Sequence, residues 1–129
     1  MDATVLLRTE QSDDRVGIVA VTVPAGWPGP PLHHHAFDEA FYVLDGELTL
    51  KVGPDGEKLA IGPGTFACVP PGVVHGFANE SDASVTYLNY HAPSTGFAAY
   101  LRGERDDFDQ HDPPADGGLP LDRIVLRRS

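Results

Sequence analysis

Apolar side chains recur at every second position over short stretches of this chain, and Gly, Pro, Asn and Asp cut the stretches apart. Period-two alternation bounded by turn residues predicts β-strands. They are expected near residues 4–8, 16–23, 32–44, 47–52, 58–61, 65–69, 74–78 and 84–91, with a last short strand at 123–126. Turn signals such as Gly29-Pro30-Pro31, Gly53-Pro54-Asp55-Gly56, Gly62-Pro63-Gly64 and Pro70-Pro71-Gly72 separate them. Many short strands with frequent turns predict an all-β sandwich or barrel of jelly-roll type. One short C-terminal helix is expected, capped by Ser94-Thr95, carrying Phe97, Tyr100 and Leu101 on one face and ended by Gly103. The acidic segment 104–116 and the Pro-Gly stretch through Pro120 read as loop.

Asp45-Gly46 is a two-residue hairpin signal between two alternating runs. If Leu44 pairs with Glu47, then Val43 faces Leu48, Phe41 faces Leu50 and Glu39 faces Val52 on one side of the hairpin. Glu39 then points into an apolar interior. His33 and His35 share its odd parity and enter the same interior if the strand runs on without a bulge, whereas His34 points outward. A carboxylate facing a core is costly unless it is paired or bound to metal, and imidazoles are common metal ligands. One cation satisfies all three, and a lone His75 further along offers a fourth donor.

The run 16–23 is apolar on both faces, so a second sheet or a second copy of the chain must cover its other side. A homodimer is the favoured reading.

At 129 residues, with 41% hydrophobic and 22% charged residues, the chain reads as one domain over 1–129, its core barrel at about 16–92 and its helix and acidic tail at about 94–129. The formal charge of −10 argues against a nucleic-acid or anionic-membrane partner, which needs a basic surface. A small neutral molecule or a metal cation fits better. No window approaches the length of a membrane span, the N-terminus has no secretory pattern, and the single Cys68 excludes an intramolecular disulfide, so a cytoplasmic protein is expected. Cys68, between apolar neighbours, reads as a small buried hydrophobe rather than a nucleophile.

Two motifs carry the chemistry. His33-His34-His35 is followed after three residues by Glu39 and after six more by Gly46; downstream, Gly64, Pro70, Gly72, His75 and Asn79 stand at the offsets G-x5-PxG-x2-H-x3-N. Over residues 32–79 the chain thus resembles the cupin superfamily of double-stranded β-helix barrels. The opening Gly of the first motif has no counterpart in register, although Gly26 and Gly29 lie close by. The resemblance implies a metal held by His33, His35, Glu39 and His75. Three neutral imidazoles and a carboxylate accept Fe, Mn, Ni, Co, Cu or Zn and leave positions open on a six-coordinate ion. Pro70-Pro71-Gly72 is expected to bend the chain so that His75 enters the barrel.

Phe41, Val43, Leu48, Leu50 and Phe77 are expected to line an apolar pocket around the metal, suited to an aromatic or alkyl-rich ligand. Glu39 is a candidate catalytic proton acceptor besides being a ligand, and His91 a candidate acid or base near the barrel mouth. His111, in the acidic tail, reads as an exposed loop residue. The resemblance extends to quercetinase-like dioxygenases, which implies an oxidoreductase acting on a small neutral or enol-bearing molecule. A metal-dependent polyketide cyclase or isomerase needing no dioxygen is an alternative, as is a non-catalytic binding or sensing module using the same pocket.

Overall fold

The computed structural model describes residues 1–13, 15–93, 101, 103 and 110–128. Nine strands are seen among them: β1 (Asp2–Leu7), β2 (Gly17–Val23), β3 (Asp38–Asp45), β4 (Leu48–Val52), β5 (Glu57–Ile61), β6 (Thr65–Val69), β7 (His75–Ala78), β8 (Val85–Ala92) and β9 (Val125–Arg128). They form two antiparallel sheets, a large one in the order β1-β2-β8-β3-β6-β9 and a small one in the order β5-β4-β7. The all-β barrel read from the alternation is therefore present. The helix expected from Ser94 falls outside the described residues apart from Leu101 and Gly103; a 3₁₀ turn at Leu121–Arg123 leads into β9.

The hairpin register expected at Asp45-Gly46 is not formed. β3 pairs with β8 and β6, and β4 pairs with β5 and β7, so the chain changes sheets at this turn. Glu39 lies opposite His91 and Val69 instead of Val52. Gly46 does adopt the positive φ of 85° that the turn requires. Turn residues reverse the chain, but they do not decide whether the flanking strands pair; here β8 offers β3 a ladder running from Asp38–Ala92 to Asp45–Thr86. Inward parity survives the change of partner because alternation belongs to the strand alone. Phe41, Val43, Leu48 and Leu50 are all fully buried between the sheets, with Val19, Val21 and Val69.

The strand expected over 32–44 begins only at Asp38. Upstream of it, Pro30 and Pro31 have no N–H to give a ladder, and the His33 and His35 rings occupy the nearby carbonyls of Pro31 and Phe37.

Asn79, fully buried at the end of the second motif, acts as a staple between loops. Its amide nitrogen donates to the carbonyls of Pro24 (3.0 Å) and Ala83 (2.8 Å), and its Oδ1 accepts from the Ser81 amide (3.0 Å) and hydroxyl (2.6 Å). Gly29 lies beneath the same region with φ of 66°, where any β-carbon would collide with the Phe77 carbonyl. Replacement of Asn79 by alanine strands several buried polar groups at once and is expected to lower stability by on the order of 3 kcal/mol, read by urea denaturation. A loss below about 0.5 kcal/mol would show that water replaces the staple at no cost.

Candidate metal centre

Two backbone exchanges bring the two motifs together. His33 and His75 trade N–H···O bonds of 2.9 Å in both directions, and the Gly72 amide donates to the His35 carbonyl at 3.0 Å. Gly72 has φ of 84°, the left-handed bend that lets the loop after Pro70 turn back toward the first motif. The bend expected of Pro70-Pro71-Gly72 thus delivers His75 to the head of β7, with its side chain fully buried.

The outcome is a cluster in which one donor atom from each of His33, His35, Glu39 and His75 lies within 4.8 Å of the others. All four residues are buried, none more than 4% exposed. Each imidazole is anchored through its other nitrogen: Nδ1 of His33, His35 and His75 bonds to the carbonyls of Pro31 (2.8 Å), Phe37 (3.0 Å) and Val73 (2.9 Å). A carbonyl only accepts, so Nδ1 carries a proton, which leaves Nε2 as the nitrogen that would give its lone pair to a metal, for His35 and His75 in place of the contact with Glu39. The Nε2 atoms of His35 and His75 lie 3.0 and 2.9 Å from Glu39 Oε1. Lone pairs and a carboxylate oxygen converging on one buried point are the arrangement a divalent cation satisfies, and the outer carbonyls are the usual supports of metal-binding histidines. The donor set fits a metal ion.

Protonation states agree with that geometry. Burial pushes His33 down from 6.5 to about 4, reinforced by the neighbouring His75, and burial likewise lowers His35. Burial would raise Glu39, but the imidazoles of His35, His75 and His91 around its carboxylate hold it well below the usual carboxylate range. Neutral imidazoles and an ionised carboxylate are the ligand forms a metal needs. An acid-labile fold follows. The unfolded chain takes up a proton on His33 near pH 6.5 while the folded chain resists until about pH 4, so stability of the metal-free protein falls as pH drops through that window. A displacement of that size is worth roughly 3 kcal/mol at its limit. Glu39 adds a further loss below its ordinary range, because there the unfolded chain binds the proton that the folded carboxylate refuses. Denaturant midpoints of chelator-treated protein measured between pH 7.5 and 4.5 are expected to decline steadily; a flat profile would contradict neutral buried imidazoles.

The outer oxygen of Glu39 has its own partners. Asn89 donates its amide to Oε2 at 3.0 Å, and His91 Nε2 lies 3.2 Å from the same atom. His91, expected near the mouth, is in fact 5% exposed and packed on the carboxylate. His34 points away from the cluster as its parity implied, yet it is half-buried, because residue 111 lies against it: the two backbones exchange 2.9 Å bonds and their rings lie 5.7 Å apart. Its Nδ1 is buried without a partner. Cys68 is half-buried, and burial together with Asp38 raises its thiol pKa, which makes it a poor nucleophile.

A cavity of about 250 Å³ adjoins Glu39. Of the five residues expected to surround the metal, Phe77 lines it, while Phe41, Val43, Leu48 and Leu50 are absent from its wall and consumed by packing between the sheets. Its wall is formed instead by Val21, Trp27, Tyr87, Asn89 and His91, among others. Sequence reasoning missed Tyr87 and Asn89, although odd parity counted back from His91 along residues 84–91 points to both. No Lys or Arg side chain lines the cavity among the described residues.

Residues 19–91 match the family described as "Cupin domain". The chain belongs to that family. Among curated proteins it is 34% identical over 73 residues to an acireductone dioxygenase of Rhodopseudomonas palustris, a match covering 55% of this chain and 44% of that protein. It therefore spans less than half the length of that relative. Among solved structures it is similar to TT1209 of Thermus thermophilus, at 27% identity and a TM-score of 0.61, over 73% of this chain and 84% of that one. The polyketide cyclase RemF of Streptomyces resistomycificus is similar at 26% identity and a TM-score of 0.61, over 70% of this chain and 63% of that one.

Proposed function

We propose that this cupin is a mononuclear metal-dependent enzyme that acts on a small neutral or enol-bearing organic molecule by dioxygenase chemistry. The observation that carries the reading is that Glu39 serves two places at once: Oε1 belongs to the four-donor cluster, while the same residue lines the cavity. A substrate in that cavity lies beside whatever the cluster holds. His33, His35, Glu39 and His75 would hold the ion, which when bound supplies Lewis acidity toward a substrate oxygen. Iron, manganese, nickel, cobalt, copper and zinc all accept these donors.

The protein's own groups supply the proton chemistry. Glu39, ionised and buried, is placed to take a proton from an enol, and His91 Nε2, 3.2 Å from Oε2, to pass it on. Cavity walls of Val21, Trp27 and Phe77 exclude water around a flat apolar body. The likeness to an acireductone dioxygenase supports the oxygen-dependent reading, and the likeness to a polyketide cyclase favours a second one, in which the same site promotes cyclisation without dioxygen. Elemental analysis of purified protein, with mass spectrometry of any co-purified molecule, tests the common part. Assay of that molecule with and without air then divides the readings: turnover that stops without dioxygen supports the oxygenase, turnover that continues supports the cyclase, and a molecule returned unchanged with metal and air makes the protein a binder.

We propose that the protein is a cytoplasmic homodimer. The outer face of β2 and β8 presents Ile18, Ala20, Thr22, Thr86, Leu88 and Tyr90, all half-buried and none charged, in a chain of net charge −10. A neutral flat face is self-complementary where the rest of the surface repels itself. Leu88→Arg is expected to yield monomers in light-scattering chromatography with the metal content intact; an unchanged mass in both proteins would remove this face from consideration.

A further inference from the structure

Tyr87 and Asn89 stand two residues apart on β8, on the same inward face as His91, and are 2% and 3% exposed. Both line the cavity. Asn89 turns its amide nitrogen to Glu39 Oε2 and the Ala40 carbonyl, which leaves its Oδ1 facing elsewhere. Neither that oxygen nor the Tyr87 hydroxyl has a hydrogen-bond partner among the described residues, yet neither is sealed in, because His34 Nδ1 is the one side-chain polar atom there that is both enclosed and unpartnered. Since both residues line the cavity, these two oxygens are the groups they have to offer an occupant. A polar group withdrawn from bulk water without a protein partner is costly, and native interiors keep such groups where a ligand or an ordered water completes them.

The rest of the cavity wall is largely apolar, its other polar members being Glu39, His91 and Gln110. Trp27 and Phe77 have ring centroids 5.7 Å apart, inclined at 44°, and Val21 lies opposite Tyr87 across the β2–β8 ladder. At about 250 Å³ the space falls below the roughly 300–1,000 Å³ of pockets for drug-sized ligands, which limits the occupant to one or two rings.

We propose that Tyr87 is the specificity-determining donor of this site, giving its hydroxyl to a carbonyl or enolate oxygen of the substrate while Asn89 Oδ1 accepts from a hydroxyl on the same edge. The occupant is then a small planar hydroxy-ketone or enol whose ring lies against Trp27 and Phe77. This inference rests on the proposed function in placing substrate in the cavity, but it assigns the recognition to residues outside the four-donor cluster. Both are binding groups for substrate; Asn89 is in addition a positioning residue for Glu39.

The test uses two probes, tropolone, a seven-membered ring with a hydroxyl and a carbonyl on one edge, and cycloheptatriene, which has a similar ring and no oxygen. Each is titrated by calorimetry into zinc-loaded wild type and zinc-loaded Tyr87→Phe, a variant that keeps the buried ring. Zinc content is measured in both proteins. Tropolone is expected to bind Tyr87→Phe about tenfold more weakly than wild type, with cycloheptatriene affinity and zinc stoichiometry unchanged. Equal weakening of both probes assigns Tyr87 to packing and overturns the proposal, as does an unchanged tropolone affinity or a wild type that binds no tropolone. Failure of the metal reading shows separately, as wild type that takes up no zinc; the tropolone comparison on metal-free protein then decides the role of Tyr87 by the same outcomes.

Discussion

Protein carrying His75→Ala is expected to emerge from purification without metal, while His34→Ala retains the full wild-type content. His75 is fully buried at the head of β7, its Nε2 is 2.9 Å from Glu39 Oε1, and its Nδ1 is tied to the Val73 carbonyl. Alanine removes one of four donors and leaves a void lined by the other imidazoles, whose rings lie 4.5 Å (His33) and 4.7 Å (His35) from that of His75. Loss of an outer support alone weakens metal affinity by about 10–100-fold, so loss of a direct donor is expected to exceed a hundredfold. The neighbour His34 provides the control. Its ring lies toward His111, away from the cluster, and its Nδ1 has no partner to lose. Metal content measured by mass spectrometry after dialysis against a weak chelator reads both variants. Full metal in His75→Ala would dismantle the site described here.

Glu39→Gln is expected to have the second large effect, and it is visible without metal. The substitution keeps the volume and removes the charge. In the folded protein that carboxylate meets His35 and His75 through Oε1 and Asn89 and His91 through Oε2, all inside the barrel. An amide supplies a single acceptor oxygen and turns two N–H donors on groups that were arranged around an anion. Losing the charge that these hydrogen bonds are made to is expected to cost about 2–3 kcal/mol. For a chain of this size, that is a fall in melting temperature on the order of 10 °C. Thermal unfolding at pH 7.5 in the presence of chelator measures it, and a wild-type melting temperature in Glu39→Gln would mean that the carboxylate is not the hub of the interior. Metal content and turnover should fall with it, since Glu39 is both donor and cavity wall.

Much of the site was legible in the order of residues. The spacing named His33, His35 and Glu39 as donors, although the strand whose parity was to carry them starts only at Asp38 and the bridge between His33 and His75 does the placing; the second motif supplied His75 at a fixed distance from Gly72, whose left-handed bend joins the segments. Strand register was not legible in this way. Asp45-Gly46 does turn the chain, but β3 and β4 go to different sheets, a choice made by the competing ladders with β8 and β7. Inward parity of Phe41, Val43, Leu48 and Leu50 was right for the same local reason that their role was wrong: alternation says that a side chain faces the interior, not whether the interior is solid or hollow there. Those four fill the space between the sheets, and the cavity opens further along, at Val21, Trp27, Tyr87 and Asn89.

By itself the order of residues determined which elements form and which side chains turn inward, because strand alternation, turn chemistry and the conformational needs of Gly29, Gly46 and Gly72 act over a few neighbours. Only the tertiary structure decided which strands pair, where packing leaves room, and that Asn89 and His91 close on the far oxygen of Glu39. Those outcomes depend on contacts between residues some fifty positions apart, where the competition between alternative ladders and packings is settled by the whole barrel at once and by no local pattern.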